Sequence, residues 1–129
     1  MTHAPRHTIL QSPTPLMPMQ RLSETLGIDL WFKRDDLAGP SLGGNKSRQL
    51  EYYFGAALEQ GADTLLITGA VQSNFARLAA AVARSLGMQA VVQLEHRVNT
   101  ADATYAHSAH VVLNQPLRAA LLYSPESDV

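Results

Sequence analysis

The chain of 129 residues contains no cysteine. This absence excludes disulfides, thiolate metal ligands and cysteine nucleophiles, and it fits a reducing compartment, so we expect a cytoplasmic protein. The sequence also lacks an excess of charge of one sign, because ten lysines and arginines face eleven acidic residues and leave a net charge of −1. Without a clustered basic surface to neutralise phosphates, nucleic acid is not an expected partner.

Long hydrophobic runs are missing as well. No stretch approaches the roughly 18 apolar residues of a membrane span, and the first 20 residues hold four prolines and no apolar segment of signal-peptide length. We therefore expect no membrane partner. What the sequence does contain is 46% hydrophobic residues, which is enough for the core of one globular domain or of part of a larger one.

Patterns typical of helices and strands alternate along the chain. Prolines should keep residues 8–20 extended, a short helix over 20–26 should end at Gly27, and the aromatic and branched residues of 28–33 favour a strand. The remaining pattern predicts, in order, a helix over 45–60 with Asn45 as its N-cap, a strand over 64–68, a helix from Ser73 that ends at Gly87, a strand over 88–94 and a helix over 101–114.

Strands that alternate with helices over short loops indicate βαβ crossovers. The predicted fold class is therefore α/β, with a parallel sheet that carries helices on both faces in a three-layer αβα arrangement. The continuous apolar run at 64–68 is typical of a parallel strand buried on both faces. In such sheets, ligands bind beyond the carboxyl ends of the strands.

Lys46 is the first candidate for chemistry. It lies between the glycine pair Gly43-Gly44 and the predicted amphipathic helix. A lysine in a first helical turn faces the positive end of the helix dipole, which disfavours the protonated amine and makes it readier to attack a carbonyl, as Schiff-base chemistry requires. From the local pattern alone, a solvated surface lysine after an ordinary turn is an equally good interpretation.

A second loop, Gly69 to Asn74, follows the predicted strand 64–68 and also begins a helix. Its Ser73 and Asn74 could hold an anion or an electron-rich ring with the unpaired N–H groups of the helix N-terminus, and Ser73 adds a hydroxyl. Both residue types are also ordinary N-caps. A nucleotide-binding domain built on the same N-terminus is disfavoured, because no Gly-x-Gly-x-x-Gly pattern follows either strand.

Four motifs follow one another in fixed order: Lys-Arg-Asp-Asp-Leu, Gly-Gly-Asn-Lys-x-Arg-x-Leu-Glu, Gly-Ala-Asp-Thr-Leu and Thr-Gly-Ala-Val-Gln-Ser-Asn. Over residues 12–98 the chain resembles the N-terminal portion of the pyridoxal-phosphate enzymes that comprise D-cysteine desulfhydrase and 1-aminocyclopropane-1-carboxylate deaminase, with a tryptophan synthase β-like fold. The resemblance implies pyridoxal 5'-phosphate as cofactor and a lyase or deaminase that acts on a small amino acid. It does not choose between desulfhydration and ring opening.

The resemblance also implies roles for individual residues. Lys46 would carry the cofactor as a Schiff base and, once released, act as the base at the substrate's α-carbon. Ser73 resembles the group proposed as nucleophile in the deaminase, while Asn74 and Gln72 would contact the cofactor. At Phe75 the chain departs from the family, which often has histidine or glutamine there, and phenylalanine cannot donate a hydrogen bond or a proton.

Chains of this family are more than twice as long, and their later part carries the glycine-rich phosphate loop and the residue that faces the pyridine nitrogen. The resemblance therefore implies a segment 1–46 of the larger cofactor domain, a smaller α/β domain over 47–115 and a divergent, frayed tail over 116–129. We expect a fragment with little activity alone, whose exposed apolar surface permits a homodimer or another association. The alternative is a non-catalytic α/β remnant or a subunit-interaction module.

Other charged and imidazole side chains are predicted to be structural. Residues 34–36 (Arg-Asp-Asp) could be catalytic, but an ion pair at the strand end that braces the glycine loop is the better interpretation. Glu51 should lie on the helix surface or brace Arg48. His107 and His110 are close enough to share a helix face, but no third ligand has suitable spacing, so no metal site is expected.

Overall fold

The computed structural model describes residues 4–10, 13–97 and 103–124. Its elements, in chain order, are β1 (Leu16–Pro18), α1 (Gln20–Leu26), β2 (Trp31–Lys33), a 3-10 helix (Asp35–Leu37), α2 (Ser47–Glu59), β3 (Thr64–Ala70), α3 (Asn74–Ser85), β4 (Gln89–Glu95), α4 (Ala103–His107), α5 (His110–Asn114) and β5 (Ala120–Ser124). Within those ranges, none of the helices combines the length and the apolar character that crossing a membrane requires.

The first sheet is a two-stranded antiparallel pair, in which Leu16 of β1 lies opposite Lys33 of β2. The strand predicted over 28–33 is confirmed only for its last three residues. Leu30 does not join the ladder, because its N–H donates to Ser23 Oγ (3.0 Å) and its carbonyl accepts from Met19 (2.9 Å). The apolar side chains of this sheet are exposed, among them those of Trp31 and Phe32.

The second sheet is parallel, with strand order β3-β4-β5. The alanine-rich helix α3 packs on β3 and β4, and α5 packs on α3. Alanine side chains let α3 lie close to the sheet, and this contact forms most of the core, which includes Leu50, Phe54, Leu78, Val82, Val92 and Leu94. The predicted α/β class, with helices on a parallel sheet, is confirmed.

The face of this sheet opposite α3 is open at β3 and β5. In the parallel register, Leu66 of β3 lies opposite Val91 of β4. Both side chains are on the face of the sheet that points away from the core. Leu66 is 71% exposed, and Leu122 of β5 is 52% exposed. The expectation that strand 64–68 is buried on both faces is therefore wrong for the described residues, and its apolar run instead leaves hydrophobic surface exposed.

The C-terminal region differs from prediction in two ways. The single helix expected over 101–114 is two short helices, and Ala109 between them has φ +45, which interrupts the helix; residues 101 and 102 lie outside the described residues. The frayed tail expected over 116–129 is wrong for Ala120–Ser124, which pair with β4 as β5. Leu121 packs on the core and fixes this strand, whereas residues 125–129 lie outside the described part of the chain.

Glu51 ties the N-terminal segment to α2. It is fully buried, and its carboxylate accepts hydrogen bonds from the N–H groups of Ile9 (2.9 Å) and Leu10 (3.0 Å) and from Arg6 Nε (2.8 Å). The prediction of a surface residue or a brace for Arg48 is therefore wrong. Burial raises the pKa of Glu51, but the two backbone hydrogen bonds and Arg6 outweigh it, so that its pKa lies below the ordinary value.

Candidate functional site

The loop over residues 38–46, here called the lysine loop, joins the 3-10 helix to α2 and ends at Lys46. Gly43 has φ +54 and Gly44 has φ +127, a conformation that residues with a side chain rarely adopt. Two backbone hydrogen bonds hold these glycines: Gly43 N–H donates to Pro40 (3.1 Å) and Gly44 N–H donates to Asp35 (2.8 Å). A Cβ at Gly43 would lie 2.7 Å from the Ala38 nitrogen, so the loop is closed tightly on itself.

Helix α2 begins at Ser47, and Lys46 occupies the N-cap position. The predicted N-cap Asn45 is therefore wrong by one residue. The helix start is held by Ser47 instead of by an asparagine cap. The buried Ser47 hydroxyl is within hydrogen-bonding distance of the carbonyls of Ala38 and Gly44, and so it connects α2 to the lysine loop. Lys46 itself is half-buried, and its amine has no hydrogen bond or salt bridge to the residues that the structure describes.

Ser73 caps α3, as its hydroxyl oxygen accepts a hydrogen bond from the Ala76 N–H (3.2 Å). This bond occupies one lone pair and leaves the hydroxyl hydrogen free to be donated to another partner. Beneath it, a Cβ at Gly69 would lie 2.8 Å from Ser73 Oγ, so the glycine at this point of β3 makes room for the serine. Helix α3 therefore presents a polar N-terminus at the carboxyl end of β3, where the sequence predicted it.

The two loops meet at Gly44 and Asn74. A Cβ at Gly44 would collide with the Asn74 side-chain nitrogen, so the backbone of the lysine loop lies directly against this side chain. Arg77, one turn further along α3, donates from Nη2 to the Gly43 carbonyl (3.1 Å) and to Asn74 Oδ1. The structure thus brings the segment that carries Lys46 against the segment that carries Ser73 and Asn74.

Gln72 is placed differently from its predicted neighbours. Its side-chain nitrogen donates to the carbonyls of Tyr105 (2.5 Å) and Ser108 (3.0 Å), and its side-chain oxygen accepts from the His110 N–H (3.1 Å). These bonds stabilise the break between α4 and α5 and position α5 beside α3. A direct contact between Gln72 and a cofactor stays a prediction.

Phe75 and His110 are packed against neighbouring residues, whereas His107 is not. Phe75 is half-buried and lies against the core cluster, so that its ring contributes apolar contact at the start of α3. His107 is exposed, whereas His110 is half-buried and accepts a hydrogen bond at Nδ1 from Arg77 Nε (2.9 Å). In the described parts of the chain, no group of three or more potential metal ligands comes together.

Ion pairs brace the lysine loop from outside, as predicted. Arg34 pairs with Asp36 (2.7 Å), and Arg48 in the first turn of α2 pairs with Asp35 (2.8 Å), which also accepts from Thr14 Oγ1 (2.9 Å). The hydrogen bonds from Arg48 and Thr14 lower the pKa of Asp35 to about 2. Since the Asp35 carbonyl also holds Gly44, this residue links β2, the lysine loop and α2.

Replacing Asp35 by asparagine should remove part of the acid sensitivity of the fold. The Asp35 pKa is lowered from 3.8 to about 2, so its ionised form stabilises the native state above pH 3.8, and this stabilisation is lost as the pH falls through about 2. The urea midpoints of wild-type protein and Asp35→Asn should therefore differ most at about pH 5 and above, and converge as the pH falls towards about 2. A difference that is independent of pH would contradict the assignment.

Arg77 and His110 are the site residues that the sequence did not reveal. Arg77 is 1% exposed, and burial lowers its pKa; burial and the charge of Arg77 lower the pKa of His110. In the sequence, Arg77 could have been noticed because it is an arginine on an otherwise alanine-rich, apolar helix face, three residues after Asn74. His110 belongs to a helix that is 33 residues away in sequence, so no local pattern could pair the two.

Comparisons with known proteins found a matching family, similar sequences and a similar fold. A model of the family described as pyridoxal-phosphate dependent enzyme matches residues 8–122. A 1-aminocyclopropane-1-carboxylate deaminase of Burkholderia lata is 48% identical over 118 residues, which are 89% of this chain and 35% of the relative. A D-cysteine desulfhydrase of Yersinia pestis is 44% identical over 113 residues, which are 88% of this chain and 34% of the relative.

A solved structure described as an ACC deaminase homologue has the same fold, with a TM-score of 0.82 and 32% sequence identity. The match covers 96% of this chain and 36% of the solved one. The chain therefore spans about a third of the length of the relatives that it matches.

Proposed function

Because this chain belongs to the pyridoxal-phosphate dependent enzymes, we propose that it forms the lysine-bearing part of a lyase or deaminase that acts on a small amino acid. The observation that carries the proposal is the close contact between the lysine loop and the N-terminus of α3 at Gly44 and Asn74. The Lys46 amine, which has no partner among the described residues, thus belongs to a segment that packs against the one with the Ser73 hydroxyl.

The residues present fit pyridoxal phosphate. Lys46 would hold the cofactor by its amine, which has no hydrogen bond to the residues that the structure describes, and Asn74 would contact it. When bound, the cofactor supplies the electron sink for a carbanion at the substrate's α-carbon. The Lys46 amine is then suited to move a proton at that carbon, and the Ser73 hydroxyl to act as nucleophile or proton donor beside it.

The substrate is proposed by class, as a small amino acid. Relatives named for 1-aminocyclopropane-1-carboxylate and for D-cysteine have similar identities to this chain, 48% and 44%, so the comparison does not separate them. Sulfide release from D-cysteine and ammonia release from the cyclopropane amino acid, measured in parallel, distinguish the two. We include a cytoplasmic location in the proposal, which the absence of cysteine supports.

A second candidate is a non-catalytic α/β module that associates with another chain or with a second copy. The exposed apolar side chains of Leu66, Trp31 and Phe32 favour it, because such surface promotes association. This candidate predicts a stable complex or homodimer in sedimentation experiments and no covalent capture of pyridoxal phosphate. The leading proposal predicts capture, whatever the oligomeric state.

The test uses an unusual property of the sequence, which contains only two lysines, Lys33 and Lys46. The protein is incubated with pyridoxal phosphate, reduced with borohydride and mapped by peptide mass spectrometry. We expect the label on Lys46, and we expect Lys46→Arg to abolish it. The amine of Lys33 donates to the Thr14 carbonyl, so Lys33→Arg is the matched control and should leave the labelling of Lys46 unchanged. Equal labelling of both lysines in folded protein would contradict the proposal.

A further inference from the structure

Arg77 is a buried guanidinium that has no carboxylate partner within the described residues. It is 1% exposed and donates only to neutral acceptors: His110 Nδ1 (2.9 Å), the Gly43 carbonyl (3.1 Å) and Asn74 Oδ1. Its Nη1 atom has no hydrogen-bond partner among the residues that the structure describes. Burying a charge without a counter-ion is unfavourable for folding, so the presence of this residue calls for an explanation other than stability.

The three acceptors belong to three different segments: the lysine loop, the start of α3 and the start of α5. Gly43 is in the lysine loop, three residues before Lys46, and Asn74 is in the first turn of α3, next to Ser73. His110 is the first residue of α5. A guanidinium has donors fixed in a planar fork, and in a buried site its hydrogen bonds are stronger than those between neutral groups, so Arg77 can hold all three segments in one arrangement.

We propose that Arg77 is a positioning residue of this site, whose guanidinium fixes the Gly43 carbonyl and the Asn74 amide and thereby sets where the Lys46 amine stands relative to the N-terminus of α3. The role of Lys46 in this statement rests on the proposed function. The effect of Arg77 on the lysine loop does not rest on the proposed function, because it concerns contacts in the protein without cofactor.

A purely structural role for Arg77 makes a different prediction. If the residue served only to fill the space between α3 and α5, its replacement would lower the melting temperature and leave the lysine loop and Lys46 unchanged in the protein that is still folded. Positioning, in contrast, predicts a local change in the loop over 43–46. The amides of Gly43 and Gly44, which are hydrogen-bonded to Pro40 and Asp35, report that change directly.

The experiment compares wild-type protein with Arg77→Gln, Arg77→Lys and Arg84→Gln. Arg84 is an exposed arginine on the same helix that donates to the Met88 carbonyl (3.2 Å), and it is the matched control for loss of a charge from α3. Arg77→Lys keeps the buried charge but has one nitrogen instead of the planar fork. All four proteins are checked for folding by circular dichroism and thermal unfolding before use.

Two readouts are taken. In protein without cofactor, we expect amide hydrogen exchange of Gly43 and Gly44 to rise by about tenfold in both Arg77 variants, as the loss of a charge-assisted hydrogen bond implies. With pyridoxal phosphate and borohydride, we expect the rate of Lys46 labelling to fall by a similar factor. Arg84→Gln should match wild-type protein in both, and Lys33 labelling should not change.

The outcomes separate the inference from the proposed function. Wild-type protein that does not label at Lys46 would contradict the proposed function, while the exchange data would still decide on Arg77. Labelling at the wild-type rate in Arg77→Gln, exchange that is unchanged at Gly43 and Gly44, or full recovery of both readouts in Arg77→Lys would overturn the inference and leave the proposed function standing.

Discussion

Replacing Glu51 by alanine should lower the free energy of unfolding by about 2–4 kcal/mol. The carboxylate lies fully buried on α2 and accepts hydrogen bonds from the N–H groups of Ile9 and Leu10 and from Arg6. In the alanine variant, two backbone N–H groups lose their partner and a cavity forms where the carboxylate was. Either effect alone is unfavourable, and together they represent a large part of the roughly 5–15 kcal/mol that stabilises an ordinary domain.

Urea unfolding followed by circular dichroism measures this loss. Glu59 is the matched control, because it is exposed at the other end of α2, and Glu59→Ala should change the unfolding free energy by less than about 0.5 kcal/mol. Glu51→Gln keeps the size of the side chain and one acceptor oxygen, so it should fall between the two. If Glu51→Ala proved no more destabilising than Glu59→Ala, the carboxylate would not be what holds the N-terminal segment.

The sequence predicted those elements whose signals are local. Helices α1 and α3 and strands β3 and β4 lie within two residues of their predicted limits, because hydrophobic periodicity and the glycines Gly27 and Gly87 define them without reference to the rest of the chain. The α/β class follows from the alternation of these elements. The family was predicted from four motifs in fixed order, and the family match over residues 8–122 confirms it.

The errors concern long-range contacts. Glu51 looks like a surface residue of an amphipathic helix, and only the backbone of residues 9 and 10, more than 40 positions earlier, explains its burial. Strand β5 has no strong strand signal and is defined by its pairing with β4. The break between α4 and α5 depends on the side chain of Gln72, over 30 residues away, which supplies hydrogen bonds where the helix has none.

The candidate site divides in the same way. Lys46, Ser73 and Asn74 were found because each follows a glycine-containing loop and begins a helix, and the structure brings their segments together at Gly44 and Asn74. Arg77 was missed because its importance depends on three acceptors from three segments, of which only Asn74 is close in sequence. The residues that we propose to carry the chemistry thus left a local pattern, whereas the residue that we propose to position them did not.

The contact between Gly44 and Asn74 leads to the second large effect, that of Gly44→Ala. An alanine at φ +127 is strained by about 1–3 kcal/mol, and its Cβ would collide with the Asn74 amide, which Arg77 holds in place. Because Arg77 holds the Asn74 side chain, we expect the lysine loop to move away from α3 and to carry the Lys46 amine with it. We expect the rate of Lys46 labelling by pyridoxal phosphate and borohydride to fall by about tenfold to a hundredfold, since a displacement of about 1 Å at a reacting group can lower a rate by about a hundredfold.

The control for this experiment is Gly61→Ala, beyond the other end of α2. Gly61 also has a positive φ, +70, but a Cβ there would meet no atom within 4 Å. Gly61→Ala should therefore lower the melting temperature through backbone strain alone and leave the labelling of Lys46 at the wild-type rate. If the two alanine variants label Lys46 equally well, strain at a glycine is the whole effect, and the close approach of Gly44 to Asn74 does not set the position of the lysine. If only Gly44→Ala loses labelling, the reactivity of Lys46 depends on the contact between its loop and α3.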